Sequence, residues 1–329
     1  MTASVASNEL RGGARGRALA ARLLGAREVT LLMLILAVGA AMALLSPHFM
    51  SGANFRAVFV GLVPTAIIAI GMTMLLVSGG FDLSVGSVLA LASTVLAMLV
   101  SKGVDISLSV VITLLLGAGI GLANGLIVSG LGVNPLVATL GTMSITRGAA
   151  LVLTEGFSIS ALPKSFGTIG KTDVLGMPLM FWIMLALVIL GDLLLRHACV
   201  LRQLYFVGGN EQAARLSGIP VGAVRTLAFV ITGALAAVAG MLLASRLGSG
   251  TPTAGSALEL QVLAAAVIGG ASLRGGEGTV LGAFLGVVFV ALINNAMTML
   301  SVSIYWQMIV TGAVLVAAVA IDVIVRRRA

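Results

Sequence analysis

The chain has 329 residues, of which 59% are hydrophobic and only 9% are charged. Soluble domains usually carry about 25% charged residues, so this composition excludes an ordinary soluble globular fold and indicates a membrane protein. The formal net charge of +8 is compatible with nucleic-acid binding, but the basic residues cluster at the chain ends and in one long loop, which is typical of a membrane protein rather than a nucleic-acid partner.

Apolar segments along the chain predict an all-α polytopic membrane protein, because a helix needs about 20 apolar residues to cross a bilayer. We predict about ten transmembrane helices, with eight or nine as alternatives. The predicted spans cover residues 28–45, 55–78, 85–101, 106–129, 135–153, 178–195, 225–245, 260–272, 279–299 and 303–323. The eighth segment is short and ends in glycines, which predicts a partial or broken helix.

Basic residues set the orientation of these spans, because short loops rich in lysine and arginine stay in the cytoplasm. With ten spans, the arginines of the N-terminal tail, of the loop 196–224 and of the C-terminal end all lie on one side. We therefore expect both termini in the cytoplasm. The predicted domains are a mobile basic tail over 1–27, a transmembrane domain over 28–325 and a basic end over 326–329.

A polar interruption between the second and third spans reads GGFDLSVGS, residues 79–87. Gly79 and Gly80 are expected to end the second span. Asp82 or Ser84 is placed to cap the next helix, where an aspartate also meets the positive end of the helix dipole. A gating or coupling role and an ion-coupling carboxylate are the alternatives to this turn and cap.

A similar turn follows later in the chain. Residues 77–91 (VSGGFDLSVGSVLAL) and 267–283 (VIGGASLRGGEGTVLGA) share a Gly-Gly pair, a leucine three residues on and a later Val-Leu. Gly269 and Gly270 form the second pair. Both segments fall at cytoplasmic ends of their spans, which predicts two related turns at the inner gate of a repeated bundle.

The fourth span carries three glycines at intervals of four residues, Gly117, Gly121 and Gly125. This spacing places them on one face of a helix, because residues four apart are neighbours on the helix surface. Glycine stripes of this kind let two helices approach closely in lipid. We predict that this face contacts another helix of the bundle.

Motifs for catalysis, nucleotide binding and metal binding are missing from the sequence. Residues 165–172 (SFGTIGKT) end like a phosphate loop, but Ser165 stands where the pattern needs glycine, and no strand–loop–helix context surrounds it. The two histidines are far apart, and Cys199 is the only cysteine. We expect neither an enzyme nor an ATP site or metal site in this chain.

The long loop 196–224 contains GGNEQAARLSGIP, residues 208–220. Asn210 is a typical N-cap, and Glu211 can pair with Arg215 one turn later, so the segment predicts a helix of about two turns. The glycine and proline that follow end it. A helix this short is marginal alone, which favours docking on a partner over a plain solvated connector.

This segment resembles the cytoplasmic coupling segment of bacterial ABC-importer permeases for ribose and other simple sugars. Further segments are similar to that family and stand in its order, and together they cover most of residues 55–325. These are GMTMLLVSGGFDLSVGSVLALAS (71–93), NPLVATLGTMSITRGAALVLTEG (134–156), PTAGSALELQVLAAAVIGGASLRGGEGTVLGAF (252–284) and NNAMTMLSVSIYWQMIVTGAVLVAAVAID (294–322).

The resemblance implies the ABC-importer permease fold and a dimer of two identical or two related permease subunits in the bacterial inner (plasma) membrane. ATP and Mg²⁺ would bind to separate ATP-binding cassette subunits, and a periplasmic solute-binding protein would deliver a simple sugar or similar small polar solute. The alternative is an ion-coupled secondary carrier, with Asp82 as its titratable group. The residues implied to couple to the ATPase are Gly209, Asn210, Glu211, Gln212, Arg215 and Leu216.

A polyhydroxyl solute needs hydrogen-bonding partners along its path through the membrane. We place Asn134, Thr139, Asn294 and Asn295 in this translocation path. The adjacent amides at 294 and 295 are the more suggestive pair, because buried amides in lipid are costly unless they are partnered. A hydrogen bond that only packs two helices together is the alternative for each residue.

Overall fold

The computed structural model describes residues 27–327, which are helical over most of their length. Each of the ten predicted spans contains a helix. The helices are α1 (Arg27–Leu45), α2 (Gly52–Gly61), α3 (Val63–Val77), α4 (Val85–Ser101), α5 (Ile106–Ser129), α6 (Pro135–Thr154), α7 (Thr168–Lys171), α8 (Leu179–His197), α9 (Cys199–Gly209), α10 (Glu211–Leu216), α11 (Val221–Leu247), α12 (Leu258–Ile268), α13 (Val280–Met299) and α14 (Ile304–Arg327). A single 3₁₀ turn, Lys164–Gly167, precedes α7.

The two predicted terminal domains lie almost wholly outside the described residues. Of the tail predicted over 1–27, only the last residue is described, as the start of α1. Of the basic end predicted over 326–329, the first two residues are described, and they belong to α14.

Seven segments of the described chain are long and apolar enough to cross a membrane. They correspond to α1, to α2 and α3 together, and to α5, α6, α8, α11 and α13. Two further apolar helices, α4 and α12, are shorter. The 11 residues of α12 rise about 16 Å, roughly half of a 30 Å hydrocarbon core, so the expectation of a partial eighth span is confirmed.

Two details differ from the sequence-based expectation. The second predicted span is broken at Leu62, where α2 ends and α3 begins with Pro64 in its first turn, because proline lacks the N–H that a continuous helix needs. The all-α description also misses a small antiparallel hairpin between Asp173–Val174 and Met177–Pro178.

The centre of the bundle is formed by α3, α4 and α11. In the most apolar 18-residue window of Gly52–Val77, 89% of the residues are buried, whereas only 11% are buried in α1, which lies at the periphery against α13. Helix α11 packs on α3, α4 and α5 at once, and this makes it the main organising element of the fold.

The two ends of the bundle are identified by contacts between loops. At one end, the backbone N–H of Gly276 donates to the carbonyl of Val77 (2.8 Å), which joins the two glycine turns. At the other end, Ile159 pairs with Gly250 as an isolated β-bridge. We call the end with the glycine turns and the loop 196–224 the inner end, following the orientation that the basic residues predict.

A non-helical segment re-enters the bundle before α12. Residues 250–257 follow the β-bridge at the outer end and run down along α4: Gly250 lies against Ala97, and Gly255 lies against Gly86. Helix α12 therefore starts inside the bundle and descends from there to the inner end.

The glycine stripe predicted on the fourth span is confirmed as a helix contact. All three glycines of α5 face α11, and a methyl group added to Gly121 would overlap the carbonyl oxygen of Phe229. Gly117 meets Gly233 in the same way, so glycine faces glycine across this contact. The two backbones are close enough that only glycine fits.

We expect Gly121→Ala to destabilise the purified chain, because the added methyl group cannot be accommodated between α5 and α11. Overpacking of this kind costs about 1–3 kcal/mol in free energy of unfolding. Gly119→Ala is the matched control, since a Cβ there meets nothing within 4 Å. Thermal unfolding in detergent measures the difference, and equal melting temperatures for the two variants would contradict the packing argument.

Candidate coupling and translocation site

Helix α10 is the short helix that the loop 196–224 was expected to contain. It runs from Glu211 to Leu216, and the side-chain oxygen of Asn210 accepts a hydrogen bond from the backbone N–H of Ala213 (3.0 Å). Gly218 follows with a φ of +79°, a left-handed conformation that favours glycine. The predicted N-cap and the predicted termination are both confirmed.

Glu211 joins α10 to the membrane bundle through two arginines. Its carboxylate binds Arg215 (2.8 Å) within α10 and Arg225 (2.9 Å) at the start of α11. The hydrogen bonds from Arg215 and Arg225 lower the pKa of Glu211 below its ordinary value, so the carboxylate is ionised at neutral pH. Arg225 also donates to the carbonyl of Ser78 (3.3 Å), which connects α10 to the first glycine turn.

The outward face of α10 is open to solvent. Ala214 is buried beneath the helix, whereas Leu216 is 91% exposed. Gln212 and Arg215 are exposed on the same short helix. The preceding helix α9 buries apolar side chains against the bundle, so α10 is supported from below and presents a leucine and an arginine outward.

The two glycine turns close their helices in the same way. After α3, the N–H groups of Gly79 and Gly80 return to carbonyls in the last turn of the helix, and Gly79 takes a positive φ. After α12, Gly270 takes the positive φ and occupies the position of Gly79, with Gly269 as the C-cap. This is the Schellman pattern of helix termination, and the Gly-Gly pairs are shifted by one residue relative to each other.

Asp82 and Ser272 play parallel parts after these turns. The carboxylate of Asp82 accepts from the N–H of Ser84 (2.7 Å), and the hydroxyl of Ser272 accepts from the N–H of Arg274 (3.2 Å). In both cases a side-chain oxygen folds back on the N–H two residues later. The sequence echo therefore reflects a shared turn structure, which a carboxylate or a hydroxyl can each support.

Asp82 also ties three helices together inside the bundle. It is only 1% exposed, and it accepts hydrogen bonds from the hydroxyl of Ser84 (2.6 Å) and the side-chain amide of Asn124 (3.2 Å). Asn124 in turn accepts from the hydroxyl of Thr142 (2.6 Å).

The predicted cap is wrong in detail: Ser84 occupies the N-cap of α4 without a capping hydrogen bond, and Asp82 binds Ser84 rather than the first turn of the helix.

Gly208 lies where the loop helices meet both glycine turns. A methyl group on Gly208 would overlap the carbonyl oxygen of Val77 and come within 2.6 Å of the nitrogen of Gly276. A methyl group on the neighbouring Gly209 would meet nothing within 4 Å. Tyr205 adds a hydrogen bond from its hydroxyl to the carbonyl of Gly278 (2.7 Å). The sequence analysis named Gly209, but the tighter contact is made by Gly208.

Two of the four predicted path residues make local structural bonds. Asn134 caps α6 by accepting from the N–H of Leu136 (2.9 Å), and the buried hydroxyl of Thr139 donates to the carbonyl of Pro135 (2.8 Å). Both bonds satisfy polar groups at the inner end of α6. Their placement in a translocation path stays a prediction.

The other two path residues line a cavity of about 260 Å³ between α2, α3, α12 and α13. Asn295 exchanges amide hydrogen bonds with the buried Asn54 (2.7 and 3.2 Å), and Asn294 lies beside it on the cavity wall. Gln261 and other polar side chains complete the lining. The sequence analysis missed Asn54 as the partner because it is 241 residues away in the chain.

Two charged residues, one inside the predicted span 135–153 and one immediately before the predicted span 260–272, were not assigned a role from the sequence. Arg147 lies on α6, and Glu259 lies in the first turn of α12. Their charge within apolar segments was the available signal, since ionisable groups at membrane depth are usually functional.

Among residues 27–327, no group of three or more histidine, cysteine or acidic side chains is placed to hold a metal ion.

Comparison with known proteins identifies related sequences across the whole bundle. The model of a family described as "Branched-chain amino acid transport system / permease component" matches residues 54–319. The ribose import permease protein RbsC of Haemophilus influenzae is 38% identical over 300 residues, which are 90% of this chain and 92% of that protein. These matches confirm the resemblance inferred from the motifs.

Other relatives carry different names. The L-arabinose transport system permease protein AraH of Escherichia coli K12 is 36% identical over 86% of both chains. The autoinducer 2 import system permease protein LsrC of Enterobacter sp. strain 638 is 35% identical over 91% of this chain and 88% of its own length. No solved structure matches the chain.

We expect Arg225→Gln to destabilise the chain more than Arg215→Gln, although both arginines bind Glu211. The side chain of Arg225 is only 17% exposed and also holds the carbonyl of Ser78, so its loss leaves partly buried acceptors unpaired and costs about 1–3 kcal/mol. The side chain of Arg215 is 63% exposed, and solvent screening limits its contribution to about 0.5 kcal/mol. Thermal unfolding of the two purified variants measures the difference. Equal losses of stability would show that Arg225 does not anchor α10 at the inner end.

Proposed function

We propose that this chain, which belongs to the family of permease components described for branched-chain amino acid transport systems, is the membrane-spanning subunit of an ATP-driven importer of a simple sugar or similar small polar solute. Membership of the family makes it a multi-pass transport permease. The proposed solute class is inferred from the names of the relatives, which include ribose import and L-arabinose transport. The proposed location is the bacterial inner membrane.

The observation that carries the ATP-driven mechanism is the exposed face of α10. A six-residue helix is marginal on its own, yet this one is capped by Asn210 and fixed to α11 through Glu211 and Arg225. Its support leaves an apolar side chain, Leu216, 91% exposed at the inner end. A rigidly held helix with an exposed leucine fits a docking groove on a partner protein.

Motion of α10 has a physical route into the membrane bundle. Glu211 holds Arg225, which holds the carbonyl of Ser78, and Gly208 sits against both glycine turns without space for a side chain. A displacement of α10 therefore shifts the ends of α3 and α12 together. We propose that docked subunits bias the bundle between outward-open and inward-open states in this way, since a ligand shifts a conformational equilibrium through differential binding.

The proposed partners supply what this chain lacks. ATP and Mg²⁺ would bind to ATP-binding cassette subunits docked on α10, and this chain would hold no cofactor and catalyse no reaction. A periplasmic solute-binding protein would deliver the solute at the outer end. A second permease subunit, identical or related, would complete the translocation path.

The alternative, an ion-coupled carrier, would need Asp82 to exchange an ion with water. Asp82 is 1% exposed and accepts hydrogen bonds from Ser84 and Asn124, so the structure gives this carboxylate a bonding role in the fold. The alternative also leaves the exposed face of α10 without a function. Both points favour ATP-driven transport.

We expect Leu216→Ser to prevent capture of the ATP-hydrolysing subunit, because it removes the exposed apolar contact on α10. The experiment is gentle detergent purification of the full-length chain from its native membrane, followed by mass identification of co-purifying chains and an ATP-hydrolysis assay. Leu175→Ser is the matched control, since Leu175 is 88% exposed in the hairpin at the outer end.

Capture of an ATPase by the native chain and by Leu175→Ser, with loss in Leu216→Ser, would support the proposal. Purification of the native chain alone under several gentle conditions, together with uptake of solute into membrane vesicles on an ion gradient without ATP, would overturn it. Equal capture of the ATPase by all three chains would show that it does not dock through Leu216 of α10.

A further inference from the structure

Arg147 and Glu259 lie near the middle of the membrane bundle. Arg147 is about 18 Å along α6 from its inner end, and Glu259 is about 14 Å above the inner end of α12, at 1.5 Å per helical residue. With a hydrocarbon core of about 30 Å, both positions fall near its midplane. The hydrogen bond between Ser87 on α4 and Thr146 on α6 fixes α6 at this depth against the core of the bundle.

The re-entrant segment 250–257 lies beside these charges. Arg147 binds it through one nitrogen, Nη1, which donates to the carbonyls of Pro252 (2.7 Å) and Ala254 (2.9 Å). Ser256 and Ala257, just before α12, are exposed on the surface of the protomer. Non-helical backbone at membrane depth occurs only where it is covered by protein or lines water, so this surface does not face lipid.

The two charged side chains line one open cleft of about 420 Å³. Its polar lining consists of Ser144, Arg147, Ser256 and Glu259. Arg147 and Glu259 are partly exposed, and the two serines are exposed. A cleft with a guanidinium, a carboxylate and two hydroxyls at this depth is stable only against water or another polar surface.

We infer that this cleft is the solute-contact site of the translocation path, facing the same cleft of a second copy of the chain across a water-filled space. The inference rests on the proposed function and names the residues that touch an uncharged polyhydroxyl solute: Arg147, Glu259, Ser144 and Ser256. It moves the path away from the four amide and hydroxyl residues selected from the sequence.

The chemistry of the cleft suits a hydroxylated solute. Only Nη1 of Arg147 is engaged, so Nε and Nη2, which have no acceptor among the described residues, are available to donate to solute hydroxyls. The Glu259 carboxylate lies beside Gly86 and can accept from hydroxyls. The hydroxyls of Ser144 and Ser256 already donate to the carbonyls of Leu140 and Thr253, so their oxygens are available to accept from solute hydroxyls. A set of donors and acceptors holds a neutral polyol without requiring a charged ligand.

A purely structural role explains less of the geometry. Clamping of the re-entrant segment accounts for Nη1 of Arg147, the charge of Glu259 balances that of Arg147, and the two serines donate to nearby carbonyls. These contacts leave Nε and Nη2 of Arg147 and the exposed oxygens of the two serines without a use. The cavity at Asn294 and Asn295 is the competing site. There, Asn54 and Asn295 already bond to each other, and the lining carries no charged side chain.

Thiol labelling tests whether the cleft is filled with water. Ser144→Cys and Ser256→Cys are introduced singly into the full-length chain in membranes, with Cys199→Ser removing the exposed native thiol. We expect a membrane-impermeant reagent, sulfonatoethyl methanethiosulfonate, to label both at least ten times faster than Leu190→Cys. Leu190 is the matched control because it is 51% exposed in the middle of α8.

Labelling of both cleft cysteines at the slow rate of Leu190→Cys would overturn the inference. Such a result would leave the proposed function intact, because docking on α10 is measured separately. All three cysteines must react equally after denaturation, which verifies that the differences come from the folded chain.

Uptake selectivity tests contact with the solute. The chain and its co-purified partner subunits are reconstituted in liposomes, and the solute-binding protein is added. Uptake of D-ribose and of L-arabinose is then measured. We expect Glu259→Gln and Ser256→Ala to change the ratio of the two uptake rates at least threefold, whereas Leu190→Ala leaves the ratio unchanged. Both variants are compared at equal membrane abundance.

An equal fall in both uptake rates, with no change in their ratio, would indicate structural support alone and would overturn the inference. If the native transporter moves neither pentose, its solute is another member of the proposed class of simple sugars and similar small polar solutes. The labelling rates of Ser144→Cys and Ser256→Cys then decide for or against the water-filled cleft by themselves.

Discussion

Backbone polar groups that leave a helix inside a bilayer must find partners within the protein, and this constraint organises the whole bundle. The chain leaves helical geometry inside the bundle before α12, and at its inner end after α3 and after α12. At each of these places, the backbone is packed against another backbone through glycine, or its carbonyls are held by an arginine. The breaks are thus fixed joints of the fold, and both proposed functional sites lie beside them.

The inner end shows how such joints connect a surface helix to the core. Gly208 has no space for a side chain between the two glycine turns, and Glu211 and Arg225 tie α10 to the first of them. Direct backbone contact transmits displacement better than contact through flexible side chains, because packed cores resist continuous deformation. In the proposed mechanism, a partner that moves α10 would act on the inner ends of α3 and α12.

The middle of the bundle shows the second consequence of the same constraint. The half-length helix α12 and the re-entrant segment before it bring polar backbone and charged side chains to the depth of the hydrocarbon core, and lipid cannot solvate either. Buried groups such as Asp82 are satisfied internally by Ser84 and Asn124. Partly exposed groups such as Arg147 and Glu259 instead require water or a neighbouring subunit. This separates structural polar residues from those that can meet a solute.

The sequence by itself determined the class of protein, the ten helical segments, the short α10 with its Asn210 cap and the glycine face of α5. These features are local, because they depend on apolar run length, on spacing along one helix and on capping chemistry. Only the tertiary structure decided which polar residues share a site. Asn54 meets Asn295, and Arg147 shares a cleft with Glu259, across more than 100 residues of chain. One sequence carries no information on such distances in space, since they are set by how the helices pack and where the backbone re-enters the membrane.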